Sequence, residues 1–336
     1  MMLRYLKIKG DFIMKYLSCK YMEHGMDFEH RRLDTCCFTS HKGGGHVIYK
    51  KPYNGEAIDW DDFFAFKKTF RENHRNGRLT PNCEGCIFLE EKEWDEENYI
   101  DYIQFNYWIN CNSRCSYCFI MQHPEIFNDM SAYNSVPIIR EMLEKKILRP
   151  GGEISFGGGE PTIHPEFDEL IDLLTDNGFT AMRIHSSGIK YSPAIAKSIS
   201  KGAMNVVISI DAGSKEIYEK IKRVPCYEKV LDTMKKYVEA DVLKKHAVIS
   251  KYIILPDIND NYDEIENWIQ SVVNVGVSAL AIDIEDIWYT ESREHVSPYY
   301  LDLVNYVQRR AEELDLYFEL YDRAKGLKRF YENYRG

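Results

Sequence analysis

From residue 101 onward, short apolar runs alternate with amphipathic stretches, and nothing else in the chain restricts its possible folds so strongly. Val- and Ile-rich runs predict strands at Ile103–Ile109, Glu153–Phe156, Thr180–His185, Val206–Ile210, Ala247–Leu255 and Ala279–Ile284. Helical patterns fall at Ala132–Leu148, Phe167–Asn177, Ser192–Ser200, Lys215–Lys222, Tyr227–Ala240, Tyr262–Val275 and Pro298–Leu314. Six strands alternating with helices imply parallel βαβ units with right-handed crossovers. Near-continuous apolar strands such as Asn205-Val-Val-Ile-Ser-Ile210 suit a parallel sheet covered by helices. The predicted class is α/β, with the sheet closed into a full or partial barrel or left open and doubly wound. In either case chemistry collects at the carboxyl ends of the strands.

The conspicuous polar residues fall at those ends. Cys111-Asn-Ser-Arg-Cys115-Ser-Tyr-Cys118 follows the first strand, and Gly157-Gly158-Gly159-Glu160-Pro161-Thr162 the second. His185-Ser-Ser-Gly188 ends the third, Asp211 the fourth and Glu285 the sixth. Three thiolates spaced C-x3-C-x2-C can hold three corners of a cubane iron–sulfur cluster and leave one iron open, as catalytic zinc keeps an open position. A zinc site would want four ligands, and a disulfide framework an even count in a secreted chain. Gly158 and Gly159 let backbone approach a ligand closely, and Glu160 can accept from a cationic amine. Alternatively the glycines merely start a helix.

These motifs in this order resemble the radical S-adenosylmethionine (SAM) superfamily: C-x3-C-x2-C with Tyr117 before the third cysteine, then Gly-Gly-Glu-Pro at the next strand end. The resemblance covers roughly residues 101–290. It implies a partial (β/α)6 TIM-like barrel and a [4Fe–4S] cluster on Cys111, Cys115 and Cys118, with SAM chelating the open iron. Reductive cleavage of SAM then yields a 5′-deoxyadenosyl radical that abstracts hydrogen from the substrate. Gly158, Gly159, Glu160, Tyr117, His185, Ser209 and Asp211 are the expected cofactor-binding residues. For Asp211, an N-cap of the helix near Ser214 is an equal alternative. An external one-electron donor such as flavodoxin or ferredoxin is implied as a partner.

Residues 14–100 show no alternation and hold Cys19, Cys36, Cys37, Cys83 and Cys86. Cys83-Glu-Gly-Cys86 is a half-site for zinc or iron–sulfur. With Cys36-Cys-Phe upstream, the segment resembles the auxiliary-cluster (SPASM or twitch) region of radical SAM enzymes. That implies a second [4Fe–4S] cluster, although this region precedes the barrel whereas in most relatives it follows. A zinc knuckle or plain buried cysteines are the rivals. The expected domains are therefore an auxiliary iron–sulfur domain at 14–100, the radical SAM barrel at 101–315 and a tail at 316–336, with residues 1–13 an extension. Cys226 is either a buried thiol or a hydrogen-atom donor in catalysis. Lys251, Tyr252, Asp257 and Asn259 at the fifth strand, and Asp283, Glu285 and Asp286 at the sixth, are candidate substrate contacts.

A net charge of −10 argues against a general nucleic-acid binder. No apolar run approaches the roughly 18 residues of a membrane span, and no signal-peptide pattern opens the chain. Nine cysteines without an export signal favour reduced thiols in the cytoplasm. For the substrate, the sequence favours a small polar molecule, possibly a sugar or sugar nucleotide undergoing epimerisation or dehydrogenation. The alternatives are maturation of a ribosomal precursor peptide, or a zinc-stabilised binding module without catalysis.

Overall fold

A computed structural model describes residues 15–36, 47–86, 88–94, 97–125, 127, 133–285, 297–321 and 323–328. In chain order its elements are β1 (Tyr16–Ser18), α1 (Lys20–His24), β2 (Gly25–Glu29), β3 (Arg32–Asp34), β4 (Ile48–Lys50), α2 (Trp60–Arg75), β5 (Glu90–Lys92) and β6 (Tyr102–Phe105). Next come α3 (Phe119–Gln122), α4 (Val136–Glu144), β7 (Ile154–Phe156), α5 (Phe167–Asp176), β8 (Met182–Ser186), α6 (Pro193–Ser200), β9 (Met204–Ser209) and α7 (Lys215–Lys222). The last are α8 (Tyr227–Ala240), β10 (Val248–Ile254), α9 (Tyr262–Asn274), β11 (Ala279–Ile284), α10 (Pro298–Glu313) and β12 (Tyr317–Leu320). The expected strands from residue 101 onward all form. The first stops early, at Phe105 instead of Ile109, because residues 108–110 turn into the cysteine loop.

The chain divides into two compact units, one of residues 1–107 with 131–155 and one of 108–130 with 156–336. In the first, β2 runs parallel to β6, with Gly25 opposite Tyr102 and Phe28 opposite Phe105. β3 and β4 add antiparallel beyond it, and β1 pairs β5 in a separate two-stranded sheet. Strand structure thus extends into the region where the sequence showed no alternation, including β5 in the charged run that follows residue 89. The longest helix of this unit, α2, starts at Asp59, whose side chain accepts from Asp62 N at 3.0 Å. It carries acids in its first turn and His74 and Arg75 in its last, in keeping with the helix dipole. Its buried face sets Arg71 against Glu23 at 2.8 Å.

In the second unit β8, β9, β10, β11 and β12 lie side by side, all parallel. Every position of β10 and β11 is buried, as expected of a sheet covered on both faces. Residues 317–320, expected to belong to a C-terminal tail, form β12 and extend the sheet with Tyr317 opposite Ala279. The register places Ser209 opposite Lys251, and Lys251 opposite Ala281.

Candidate active site

The cysteine loop is stitched to the end of α7 by its backbone: Arg114 N donates to Lys222 O at 3.0 Å and Ser116 N to Ile221 O at 2.9 Å. Tyr117 then donates its hydroxyl to Asp211 Oδ2 at 2.5 Å, and Lys222 Nζ donates to the same phenol oxygen at 2.9 Å and also to Asp211. The other carboxylate oxygen of Asp211 accepts from Ile253 N at 2.8 Å. Asp211 is wholly buried and left-handed (φ +55°), and Ser214, not Asp211, is the N-cap of α7. Its side chain is spent on holding the loop, and it is not among the residues that line the cavity.

The glycine run is held equally closely. Gly159 N donates to Trp108 O at 2.6 Å and Glu160 N to Asn110 O at 2.8 Å. A Cβ on Gly159 would meet Asn110 O at 2.2 Å, so only glycine lets this segment lie against the start of the cysteine loop. Gly158 takes φ +85°. Glu160 caps the short 3-10 turn Pro161–Ile163 and is buried. One oxygen accepts from Thr162 Oγ1 (2.5 Å) and Ser186 Oγ (2.9 Å), the other from Ser187 N (2.6 Å). Ser187 Oγ donates to Asn112 Oδ1 at 2.9 Å, tying the end of β8 to the cysteine loop.

Together these strand ends enclose a cavity of 360 Å³ lined by Cys111, Cys115 and Cys118, by Tyr117, Gly158, Gly159 and Glu160, and by His185 and Ser209. Lys222, Lys251, Glu285 and Arg323 complete its charged lining. Burial pushes the Cys111 thiol up to about 12 and raises that of Cys115. Burial and the nearby Lys251 and Arg183 charges push His185 down to about 3, so its imidazole is neutral.

The Radical SAM superfamily model matches residues 105–272, half of the chain and the segment that carries the cysteine loop and the glycine run. The chain belongs to the radical SAM superfamily. Members are enzymes that use a [4Fe–4S] cluster and SAM. Among curated relatives, the 7,8-dihydro-6-hydroxymethylpterin dimethyltransferase of Methanocaldococcus jannaschii is 28% identical over 205 residues, 57% of this chain and 40% of the relative. The mycofactocin maturase MftC of Mycobacterium ulcerans is 25% identical over 113 residues, 33% of this chain and 29% of the relative. The chain thus spans less than half the length of either. The structure of Streptococcus suis SuiB bound to the precursor peptide SuiA has a TM-score of 0.48 and 13% identity, over 92% of this chain and 73% of that one.

The donor set fits the radical SAM cluster. Three thiols share one cavity wall, and the raised affinity of Cys111 and Cys115 for protons means that a bound cation is needed to keep them as thiolates. Among the described residues no three His, Cys, Asp or Glu side chains gather tightly enough to hold a single metal ion. Thiolates that each bind a different iron of a cubane stand further apart than the ligands of one ion.

In the first unit Cys19 packs with Met22, Val47 and Cys36, beside Phe66 and Phe70. Burial pushes its thiol up to about 11, and Cys83 and Cys86 act on it electrostatically. Four of the five expected N-terminal cysteines are therefore neighbours; Cys37 lies outside the described residues, as does Asp286. Burial brings Lys67, beside Cys19 and Cys36, down to about 7.

Other expected contacts fall elsewhere. Cys226 takes the N-cap position of α8 and does not line the cavity. Tyr252 faces the helix layer, its ring 4.8 Å from that of Trp268 and its hydroxyl donating to Asn259 O. Asn259 in turn donates to Asp211 O at 2.9 Å and supports the loop anchor. Alternation along β10 explains the split: Lys251 faces the cavity and Tyr252 the opposite side. Ser186 and Ser187, from the expected third strand end, line the cavity, as do Lys222 and Arg323, which belong to no motif that spacing reveals.

Proposed function

We propose that this protein generates a substrate radical by hydrogen abstraction within the 360 Å³ cavity. What supports the reading is the convergence on that cavity of Cys111, Cys115 and Cys118 with Gly158, Gly159 and Glu160. A [4Fe–4S] cluster on the three thiols would supply the electron that cleaves SAM to the 5′-deoxyadenosyl radical. The residues of the chain then bind and orient. Glu160, held by Ser186, Ser187 and Thr162, is set to accept from the methionyl amine. Ser209 and neutral His185 offer uncharged polar contacts to the nucleoside. The buried β10 and β11 wall keeps water from the radical.

The substrate we favour is a small polar molecule, in keeping with a cavity of this size and charged lining; the relatives give no support to a sugar. Peptide maturation is the second reading, favoured by the MftC likeness. We also assign Cys19, Cys36, Cys83 and Cys86 to an auxiliary iron–sulfur site, on the strength of their gathering in the first unit. A small redox protein in the cytoplasm is the electron donor in this reading. Among the described residues no helix is long and apolar enough to cross a membrane.

The test is reductive cleavage of SAM by anaerobically reconstituted protein, read as 5′-deoxyadenosine. Cys115→Ala should abolish it, and cleavage retained in that variant ends the reading.

A further inference from the structure

Lys251 is a buried cation whose carboxylate partner stands at long range. It is 8% exposed, at the cavity wall on β10. The nearest acid oxygen, Asp283 Oδ2, stands 3.7 Å from its Nζ, beyond hydrogen-bond range. That carboxylate is already taken, by Arg323 Nη1 at 2.7 Å and Ala324 N at 3.4 Å. The ammonium instead lies over the Tyr321 ring at 4.0 Å. Among the described residues its three N–H donors meet no acceptor, a costly state for a desolvated ammonium.

The neighbouring charges do not supply one. Asp283 and Asp211 act on Lys251 in one direction, Arg323 and Lys222 in the other. Lys222 is paired with Asp211, and His185 beside it is neutral. Burial accordingly lowers the affinity of Lys251 for its proton. A buried donor group facing a cavity, with its nearest carboxylate at 3.7 Å and hydrogen-bonded to Arg323, is the arrangement a ligand anion completes.

The methionyl carboxylate of SAM is not that anion. Lys251 stands instead beside Asp283 of β11 and over the ring of Tyr321, the residue that follows β12. The lysine therefore belongs to the part of the cavity away from the cysteines, at the ends of β10 and β11.

We infer that Lys251 anchors an anionic group of the substrate, a carboxylate or a phosphate, and orients the substrate against the cluster side of the cavity. This rests on the radical SAM reading of the same cavity. It narrows the substrate from any small polar molecule to an anionic one, and Arg323 contributes by holding Asp283 away from the ammonium.

The experiment is equilibrium dialysis of SAM-saturated, reconstituted enzyme against labelled phosphate and, separately, labelled acetate. Wild type should bind one of the two, phosphate for a phosphorylated substrate or acetate for a carboxylated one. Lys251→Gln should weaken that binding at least about tenfold and Lys251→Arg restore most of it, since truncating one side of a buried charge pair acts strongly on affinity. Iron content equal to wild type shows that both variants are folded. No saturable binding of either anion by wild type, or equal binding by Lys251→Gln, overturns the inference. SAM cleavage by the wild-type enzyme is read in parallel and reports on the underlying assignment alone.

Discussion

Asp211 and Lys222 form an ion pair, both side chains almost fully buried, that fastens the cysteine loop to the sheet. Burial alone would lower the affinity of Lys222 for its proton; Asp211 and Cys115 outweigh it, and the result is raised. A raised folded value means the stabilisation is complete below the ordinary lysine range and is lost only as pH climbs through the raised value. The pair is therefore intact throughout the neutral range. Breaking it from one side leaves a buried uncompensated charge, so Asp211→Asn should destabilise by about 3–5 kcal/mol. Urea unfolding measures this; a loss below about 1 kcal/mol would show the pair to be unimportant.

Gly159→Ala puts a Cβ 2.2 Å from the backbone oxygen of Asn110, which cannot yield as a flexible side chain would. The start of the cysteine loop must move, and cluster incorporation should fall to under about half of wild type, since small displacements of metal-binding side chains are poorly tolerated. Gly158→Ala places alanine at φ +85°, and should cost stability on the order of 1–3 kcal/mol. Iron per chain and thermal unfolding distinguish the two. Full iron in Gly159→Ala would mean that the close approach is not needed.

Asp27, in β2, is fully buried, and among the described residues neither of its carboxylate oxygens has a hydrogen-bond partner. Burial first, then Glu29 and Asp34, raise its affinity for a proton well above the ordinary value, and burial brings Asp34 up to about 7. Acids with raised folded values stabilise when protonated, so their contribution is lost as pH rises from the ordinary carboxylate range toward 7 and beyond. The first unit should therefore be more stable at pH 5.5 than at pH 8, and Asp27→Asn should flatten this difference and stabilise at pH 8. Denaturation series at the two pH values check it. Stability that rises with pH in wild type contradicts the prediction.

Cys226 stands at the start of α8 and outside the residues lining the cavity. Cys226→Ala should cleave SAM within about twofold of wild type, as expected for a substitution away from the site. A tenfold loss of 5′-deoxyadenosine would bring Cys226 into the machinery.

What the sequence reveals here follows from how local the signal is. The cysteine loop and Gly158-Gly159-Glu160 are legible because each motif is contiguous and each sits at the end of a strand whose apolar run is unbroken. The loop's anchor is not, because Tyr117, Asp211 and Lys222 meet from separate elements. Strand β2 was hidden by its own chemistry: Asp27 lies buried in the middle of Gly25–Glu29, where an apolar residue would have shown the pattern. Lys251 reads as one polar residue in an apolar strand, and only the register shows that it faces the cavity while Tyr252 faces away.

Iron and acid-labile sulfide per chain, in wild type and in the Cys111/Cys115/Cys118 triple alanine variant, test the central claim most directly. About eight iron falling to about four places one cubane on the cavity thiols and a second on the N-terminal cysteines. About four falling to none, with zinc retained, keeps the cavity cluster and makes the N-terminal cysteines a zinc site. Iron unchanged by loss of all three cysteines would contradict the assignment of the cavity as a radical SAM site.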